Sequence, residues 1–97
     1  MPTYIVLAKW TKEGLEKLKD SPARLDAGKK AYEAAGVKLK AFYMTMGKYD
    51  MLTVAEAPND AAIAKANLAL IAKGAIQTET FPAFTEEEYR KILSELP

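Results

Sequence analysis

Two consecutive apolar segments on either side of Gly47-Lys48 constrain the fold more than any other feature of this sequence. Between Val37 and Glu56 the residues are largely β-formers, and Gly at the first central position of a two-residue loop suits a type II′ turn. The sequence therefore predicts a β-hairpin in which Met46 pairs with Tyr49 and Met44 pairs with Met51.

Side chains alternate between the two faces of such a hairpin. One face carries Lys40, Phe42, Met44, Met46, Tyr49, Met51, Thr53 and Ala55, and the other carries Leu39, Ala41, Tyr43, Thr45, Asp50, Leu52, Val54 and Glu56. Both faces are largely apolar, whereas an antiparallel sheet with one solvated face alternates apolar and polar residues. We therefore expect both faces of the sheet to be covered.

The rest of the chain supplies two more strands and three helical regions. Tyr4–Ala8 predicts a strand that runs on toward Trp10, and Ala75–Phe81 predicts another. Thr11 begins a first helix that is interrupted at Asp20-Ser21-Pro22, restarts with Ser21 as its cap, and stops at Gly36. An Ala-rich helix begins at Asn59 and ends at Lys73-Gly74, and a capping box over Thr85–Glu88 begins the last helix.

This order, β-α-β-β-α-β-α, predicts an α+β ferredoxin-like fold. A four-stranded antiparallel sheet carries two helices on one face, and the C-terminal helix is additional. The chain has 97 residues, which is room for one domain spanning residues 1–97.

The two sheet faces predict self-association. The more aliphatic side, with Leu39, Ala41, Leu52 and Val54, is expected to meet the helices. The other side would then leave Phe42, Met44, Met46 and Met51 uncovered, and burying these four residues is worth roughly 6–12 kcal/mol. Such a patch seldom stays exposed on a monomer. We expect the C-terminal helix to cover part of it, or a second copy to cover it in a homodimer or a higher even oligomer.

Composition excludes several classes of function. The chain has no Cys and no His, so we expect no disulfide, no thiolate or imidazole metal site, no Ser-His relay and no cofactor. A net charge of +1 argues against sequence-independent nucleic-acid binding. No segment is long and apolar enough to span a membrane, and the N-terminus lacks the pattern of a signal peptide, so a cytoplasmic location is expected.

Several segments together resemble the GYD-domain family of small bacterial and archaeal proteins. The segments are residues 4–7, 10–14, 19–22, 42–50, 56–60, 78–80 and 83–86, and Gly47-Lys48-Tyr49-Asp50 is the name-giving stretch. The resemblance runs nearly end to end. It implies membership of the dimeric α+β barrel superfamily, whose members include cofactor-independent monooxygenases, isomerases, haem binders and ligand-sensing modules of regulators.

Asp50 and Tyr49 are the candidate catalytic residues. A carboxylate that enters an apolar region can serve as a general base, and a phenol can donate a proton to a substrate oxygen. The alternatives are structural: Asp50 can accept hydrogen bonds from nearby backbone or from Thr45, and Tyr49 can pack across from Met46.

Four residues are candidates for ligand binding. Trp10 and Tyr43 can line a cavity, Arg24 can bind an anion at the start of a helix, and Thr78 can hydrogen-bond a ligand from the last strand. Each has a structural alternative: packing for the two aromatic residues, an ion pair with Asp20 or Asp26 for Arg24, and ordinary strand occupancy for Thr78.

Three functional hypotheses remain open at this point. The first is a homodimeric protein that binds a small, mostly apolar molecule between sheet and helices or at the dimer barrel. The second is a cofactor-independent enzyme, resembling a monooxygenase or an isomerase, that uses Asp50 and a Tyr. The third is an assembly protein whose barrel is packed solid.

Overall fold

The computed structural model describes residues Met1–Pro97 and has four strands in one antiparallel sheet. The elements in chain order are β1 (Thr3–Trp10), α1 (Lys12–Glu16), a 3-10 turn (Leu18–Asp20), α2 (Ser21–Ala34), β2 (Lys38–Met44), β3 (Met51–Glu56), α3 (Asp60–Ile71), β4 (Ile76–Ala83) and α4 (Glu86–Ser94). The strand order is β2-β3-β1-β4, with β1 paired to both β3 and β4. The predicted ferredoxin-like α+β fold is confirmed.

Most helix boundaries follow the predicted capping chemistry. The Thr11 side chain accepts a hydrogen bond from the Gly14 N–H, and the Asn59 side chain accepts one from the Ala62 N–H. Thr85 and Glu88 form a complete capping box at the start of α4. These contacts satisfy backbone N–H groups that have no partner inside the helix.

The predicted cap at Ser21 is wrong. Ser21 is already the first residue of α2, with helical φ and ψ of −55° and −42°, and its N–H donates to the Leu18 carbonyl. The 3-10 turn runs directly into α2, so Ser21 never adopts the extended conformation that a capping residue needs. Its hydroxyl is therefore free to accept a hydrogen bond from the Trp10 indole, at 3.3 Å.

The hairpin has the predicted register near its loop but not the predicted turn. Residues 41–44 pair as expected, with Met44 opposite Met51. The connection, however, spans residues 45–50, where the Thr45 N–H donates to the Asp50 carbonyl at 2.8 Å. The Asp50 N–H donates to the Ala8 carbonyl of β1, and no backbone hydrogen bond joins Met46 to Tyr49 as a two-residue turn would require.

The prediction of which sheet face meets the helices is also wrong. Tyr4, Val6 and Ala8 of β1 are buried, and the register places them beside Ala55, Thr53 and Met51. The helix side of β3 is therefore Met51, Thr53 and Ala55, and not Leu52 and Val54. A register shift between Leu39 and Ala41 puts Leu39 opposite Ala55, so Leu39 joins the helix side while Ala41 does not.

The core on this face combines small and large side chains. Ala55 and Ala57 are 0% exposed and lie in the core with Ile63 and Ala66 of α3 and Tyr32 of α2. Ala55 and Ala57 leave room for close packing against α3, while Tyr4 and Val6 of β1 fill the rest of the same core.

The opposite face of the sheet, which we call the open face, is not covered within one chain. Its apolar residues are Ile5, Leu7, Ala41, Tyr43, Leu52, Val54 and Phe81, and none of them is buried. The expected uncovered set is therefore only partly right: Met44 and Met46 are 67% and 93% exposed, whereas Met51 is buried and Phe42 lies on the helix side by register.

Helix α4 does not cover the open face either. Each of its nine residues is exposed, including Tyr89, Ile92 and Leu93 on its apolar side. The molecule measures 53 × 30 × 17 Å, an elongated shape for a chain of this size. None of the helices is long and apolar enough to cross a membrane.

Candidate functional site

A cavity of about 130 Å³ lies between the helix side of the sheet and helix α2. Val6 and Ala8 of β1 and Leu39 and Met51 of the hairpin form its sheet side, and Leu25 and Leu70 close it from α2 and α3. For comparison, an apolar cavity of about 150 Å³ is large enough to bind benzene. The cavity can therefore hold an apolar group of about that size.

Three of the four predicted ligand-binding residues line this cavity. Trp10 comes from the end of β1, Arg24 from the first turns of α2, and Thr78 from β4, where it pairs with Ala8. The indole N–H of Trp10 donates to the Ser21 hydroxyl, which joins the end of β1 to the start of α2. Separate sequence arguments singled out these residues, and the fold brings them to one place.

Arg24 is held by backbone carbonyls and not by a carboxylate. Its Nη1 donates to the Lys17 carbonyl at 3.0 Å, and its Nη2 donates to the Gly14 carbonyl at 3.3 Å. The alternative of an ion pair with Asp20 or Asp26 is wrong, because the only ion pairs in the chain are Lys40–Glu56 and Arg90–Glu86. The two carbonyls orient the guanidinium while leaving its charge uncompensated.

A hydrogen-bond chain that the sequence analysis missed runs from the cavity to β4. Its members Tyr32 and Asn67 are buried and line the cavity, whereas Thr80 is exposed and lies outside the lining. The Tyr32 hydroxyl donates to Asn67 Oδ1 at 2.6 Å, and Asn67 Nδ2 donates to the Thr80 hydroxyl at 2.8 Å. Burial raises the pKa of Tyr32 to about 12, because the phenolate would lose its hydration. The available signal was a single Asn within the otherwise apolar stretch 66–71 of α3, since a buried amide requires partners.

Asn67 also separates the cavity from a second, shallower depression. This groove lies between α3 and β4 and is lined in part by Tyr4, Ile63, Leu68 and Phe81. Because Asn67 contributes to both linings, the Tyr32–Asn67–Thr80 chain is the partition between them.

The predicted catalytic pair lies outside the cavity, at the hairpin loop. Asp50 Oδ2 accepts a hydrogen bond from the Trp10 backbone N–H at 3.0 Å. The structural alternative for Asp50 was that it accepts a hydrogen bond from backbone or from Thr45. The structure shows a backbone donor, and it belongs to β1. The Thr45 hydroxyl donates to the Tyr49 carbonyl instead.

Tyr49 donates its hydroxyl to Glu79 of β4. This hydrogen bond and, to a lesser degree, desolvation raise the pKa of Tyr49. The alternative of packing across from Met46 is wrong, because Met46 is 93% exposed. Together Asp50 and Tyr49 fasten the loop to two strands, and neither residue lines the cavity.

Tyr43, the fourth predicted ligand-binding residue, lies on the open face and is 60% exposed. It therefore points away from the helices and does not line the cavity, although Leu39 of the same strand does. The structure contains no group of three or more carboxylates arranged to hold a metal ion.

The fold and the cavity define a class: small ferredoxin-like α+β proteins with a pocket between sheet and helices. The sequence profile of the GYD domain matches residues 4–93. The chain belongs to the GYD-domain family, which confirms the resemblance seen in the sequence.

A relative in sequence supports this placement, and two solved structures share the fold. A protein of Thermus thermophilus described as a glutamine synthetase and cystathionine beta-lyase binding protein is 37% identical over 84 residues, covering 86% of this chain and 88% of that protein. Among solved structures, a Thermus thermophilus protein matches with a TM-score of 0.56 at 18% identity, covering 88% of this chain and 95% of the other. A hypothetical protein of Pyrococcus horikoshii matches with a TM-score of 0.55 at 20% identity, covering 89% and 93%. At these identities the two structural matches show the fold alone.

Proposed function

We propose that this protein is a homodimeric binding protein that holds a small, mostly apolar molecule in the cavity beneath α2. The observation that carries the proposal is the cavity itself, about 130 Å³ in volume and lined by Trp10, Arg24 and Thr78. An apolar enclosure with a few polar groups at its margin is typical of small-molecule sites. The role of these three residues in ligand binding is part of the proposal.

The dimer is proposed from the open face. Seven apolar side chains lie on one side of the sheet with no cover from their own chain, and Tyr43 is exposed among them. We expect this face to pair with itself, because a two-fold axis can place the same residues of two copies against each other. Two sheets packed in this way leave each chain's cavity on the outside of the assembly, under its own helices.

Native mass spectrometry of gently purified protein, compared with its denatured mass, tests both parts. We expect an even-numbered oligomer carrying a small adduct that denaturation removes. A monomer would contradict the dimer. For protein that carries no adduct, titration with phenol follows, read by the fluorescence of Trp10, the only tryptophan. Absence of any saturable change would then contradict binding in the cavity.

A second candidate function is the binding of a protein partner. One relative is named for binding two enzymes, glutamine synthetase and cystathionine β-lyase. In this chain, α4 presents Tyr89, Ile92 and Leu93 to solvent on one side of a nine-residue helix. So short a helix is only marginally stable by itself, so an apolar side without a cover favours a docked state. A cytoplasmic setting, as expected from the sequence, is part of this candidate.

Size-exclusion chromatography with purified glutamine synthetase from the same organism tests this candidate. We expect co-elution with the unaltered chain and loss of co-elution with Leu93→Asp. The matched control is Lys91→Asp, which introduces the same carboxylate beside the apolar side and should retain binding. Separate elution of both proteins, or equal co-elution of both variants, would contradict docking through α4.

The enzyme hypothesis has less support from the geometry. Asp50 and Tyr49 are both engaged in hydrogen bonds that fasten the hairpin loop, and the cavity lies elsewhere. A general base and acid need a substrate within hydrogen-bond distance of both groups. The hypothesis would be supported if the protein converted phenols, quinols or lactones and the Asp50→Asn variant did not.

A further inference from the structure

The charges around the cavity indicate which kind of small molecule it holds. Three of its lining residues are cationic, namely Arg24, Lys29 and Lys73, and none is acidic. None of the three cations forms an ion pair within the chain. Glu13 lies against Gly74, outside the lining, and also makes no ion pair. The margin of the cavity therefore carries a local positive charge, although the whole chain has a net charge of only +1.

The Arg24 guanidinium has hydrogen-bond donors that are not used within the chain. A guanidinium has five N–H donors, and two of those of Arg24 are engaged by the carbonyls of Lys17 and Gly14. These two bonds fix the position of the side chain and do not neutralise it. A fixed, half-buried guanidinium beside an apolar cavity is suited to a carboxylate, which it binds with charge-assisted hydrogen bonds.

The remaining lining limits the size and shape of the ligand. The lining is mainly aliphatic, with Met51, Trp10 and Tyr32. Its neutral polar groups include the Asn67 amide and the hydroxyls of Thr53 and Thr78. At about 130 Å³ the interior admits one ring or one branched aliphatic group and no more.

We propose that the ligand is a small monocarboxylic acid whose apolar body fills the cavity and whose carboxylate binds at Arg24. This inference rests on the proposed binding function and adds the chemical class of the ligand. Lys29 and Lys73 contribute to the attraction as exposed charges, while Arg24 makes the direct contact. Neutral and cationic molecules with the same apolar body bind more weakly.

Three probes with the same ring test the inference: phenylacetate, the neutral phenylacetamide and the cationic phenethylamine. Trp10 lines the cavity and is the only tryptophan, so its fluorescence reports binding, and calorimetry gives the stoichiometry. We expect phenylacetate to bind at least tenfold more tightly than phenylacetamide, and phenethylamine to bind most weakly. Because the charges are partly exposed, raising the salt concentration to 0.5 M should reduce the tenfold preference.

Three variants test whether Arg24 is responsible for the preference for phenylacetate over phenylacetamide. Arg24→Gln should lower the preference for phenylacetate to within about threefold, whereas Arg24→Lys keeps the charge and should retain most of it. The matched control is Lys65→Gln, which removes one exposed positive charge from α3 outside the cavity lining and should leave the preference unchanged.

The outcomes separate this inference from the function on which it rests. Equal affinity for phenylacetate and phenylacetamide, or tighter binding of phenethylamine, would overturn the carboxylate assignment while leaving the cavity as a binding site. Failure of all three probes to bind would overturn the proposed function together with the inference. An equal loss of preference in Lys65→Gln and Arg24→Gln would show that overall charge, and not Arg24, is responsible.

Discussion

Replacing Gly28 with Ala should stabilise the fold and weaken ligand binding at the same time. Gly28 is buried within the 14-residue helix α2 and lines the cavity. A Cβ atom at this position would lie 3.5 and 3.6 Å from the two Cδ atoms of Leu70, which is ordinary van der Waals contact. The added methyl group therefore fits without displacing the backbone.

The expected gain in stability has two sources. Gly inside a helix is less favourable than Ala by roughly 0.5–1 kcal/mol, and burying one methyl group adds about 0.8 kcal/mol. The free energy of unfolding should rise by about 1–2 kcal/mol, which corresponds to an increase in Tm of roughly 4–15 °C for a domain of this size. Urea denaturation at one fixed protomer concentration measures the change without interference from oligomerisation.

The expected loss of binding follows from the same methyl group. It occupies a volume close to that of one water molecule, about 30 Å³, in a cavity of about 130 Å³. Crowding a fitted ring costs about 1–3 kcal/mol, so phenylacetate should bind roughly tenfold or more weakly to Gly28→Ala. Lys30→Ala, on an exposed position of α2 outside the lining, is the control and should change neither quantity appreciably.

Two results would refute this reasoning. Lower stability of Gly28→Ala would show that the space beside Leu70 is not available. Higher stability with unchanged affinity for phenylacetate would show that the ligand binds somewhere other than this cavity.

Three further predictions concern the fold and the assembly. The folded-state pKa of Tyr32, about 12, exceeds its ordinary value of 10.0, so the free energy of unfolding should fall by about 2–3 kcal/mol as pH rises from 10 to 12. Tyr32→Phe has no phenol to titrate and should not show this fall, and identical pH profiles of the two proteins would contradict the prediction. Gly14→Ala would place a Cβ atom 2.2 Å from the Ala75 carbonyl oxygen, so urea denaturation should show a loss of about 1–3 kcal/mol, and unchanged stability would contradict the close approach. Leu52→Asp on the open face should convert the dimer to a monomer in light scattering, and a surviving dimer would contradict association through this face.

Local chemistry made much of the fold predictable. The element order, the caps at Thr11, Asn59 and Thr85, and the left-handed Gly36, with φ of 76°, depend on residues close together in sequence. The same is true of the register beside the hairpin loop, because Met44 and Met51 are separated by only the loop.

The hairpin loop and the helix-facing side of the sheet could not be predicted, because they depend on contacts between residues far apart in sequence. Asp50, the last residue of the six-residue loop, bonds to Ala8 and Trp10 of β1, about 40 positions away in sequence, and the local pattern does not indicate these contacts. The helix-facing side is marked by buried residues of β1 and β3 together, Tyr4, Val6 and Ala55, whose contacts with the helices are distant in sequence. A period-two pattern distinguishes two faces but does not say which one a helix will contact.

The candidate site also has features that the local sequence indicates and features that depend on long-range contacts. Trp10, Arg24 and Thr78 were singled out by their chemistry in three separate segments, and only the assembled fold shows that they share one cavity. The Tyr32–Asn67 hydrogen bond joins α2 to α3 and depends on how the two helices align. The carbonyl partners of Arg24 depend on the path of the chain between α1 and α2, where the sequence equally allowed an ion pair.

A crystal structure of the protein with phenylacetate tests the central claim most directly. The predicted result is one molecule per chain, with its ring beneath α2 between Trp10 and Leu70 and its carboxylate within hydrogen-bond distance of the Arg24 guanidinium. The open faces of two copies should pack against each other in the same crystal. An empty cavity at saturating phenylacetate, with the probe bound on the open face or not at all, would contradict the account.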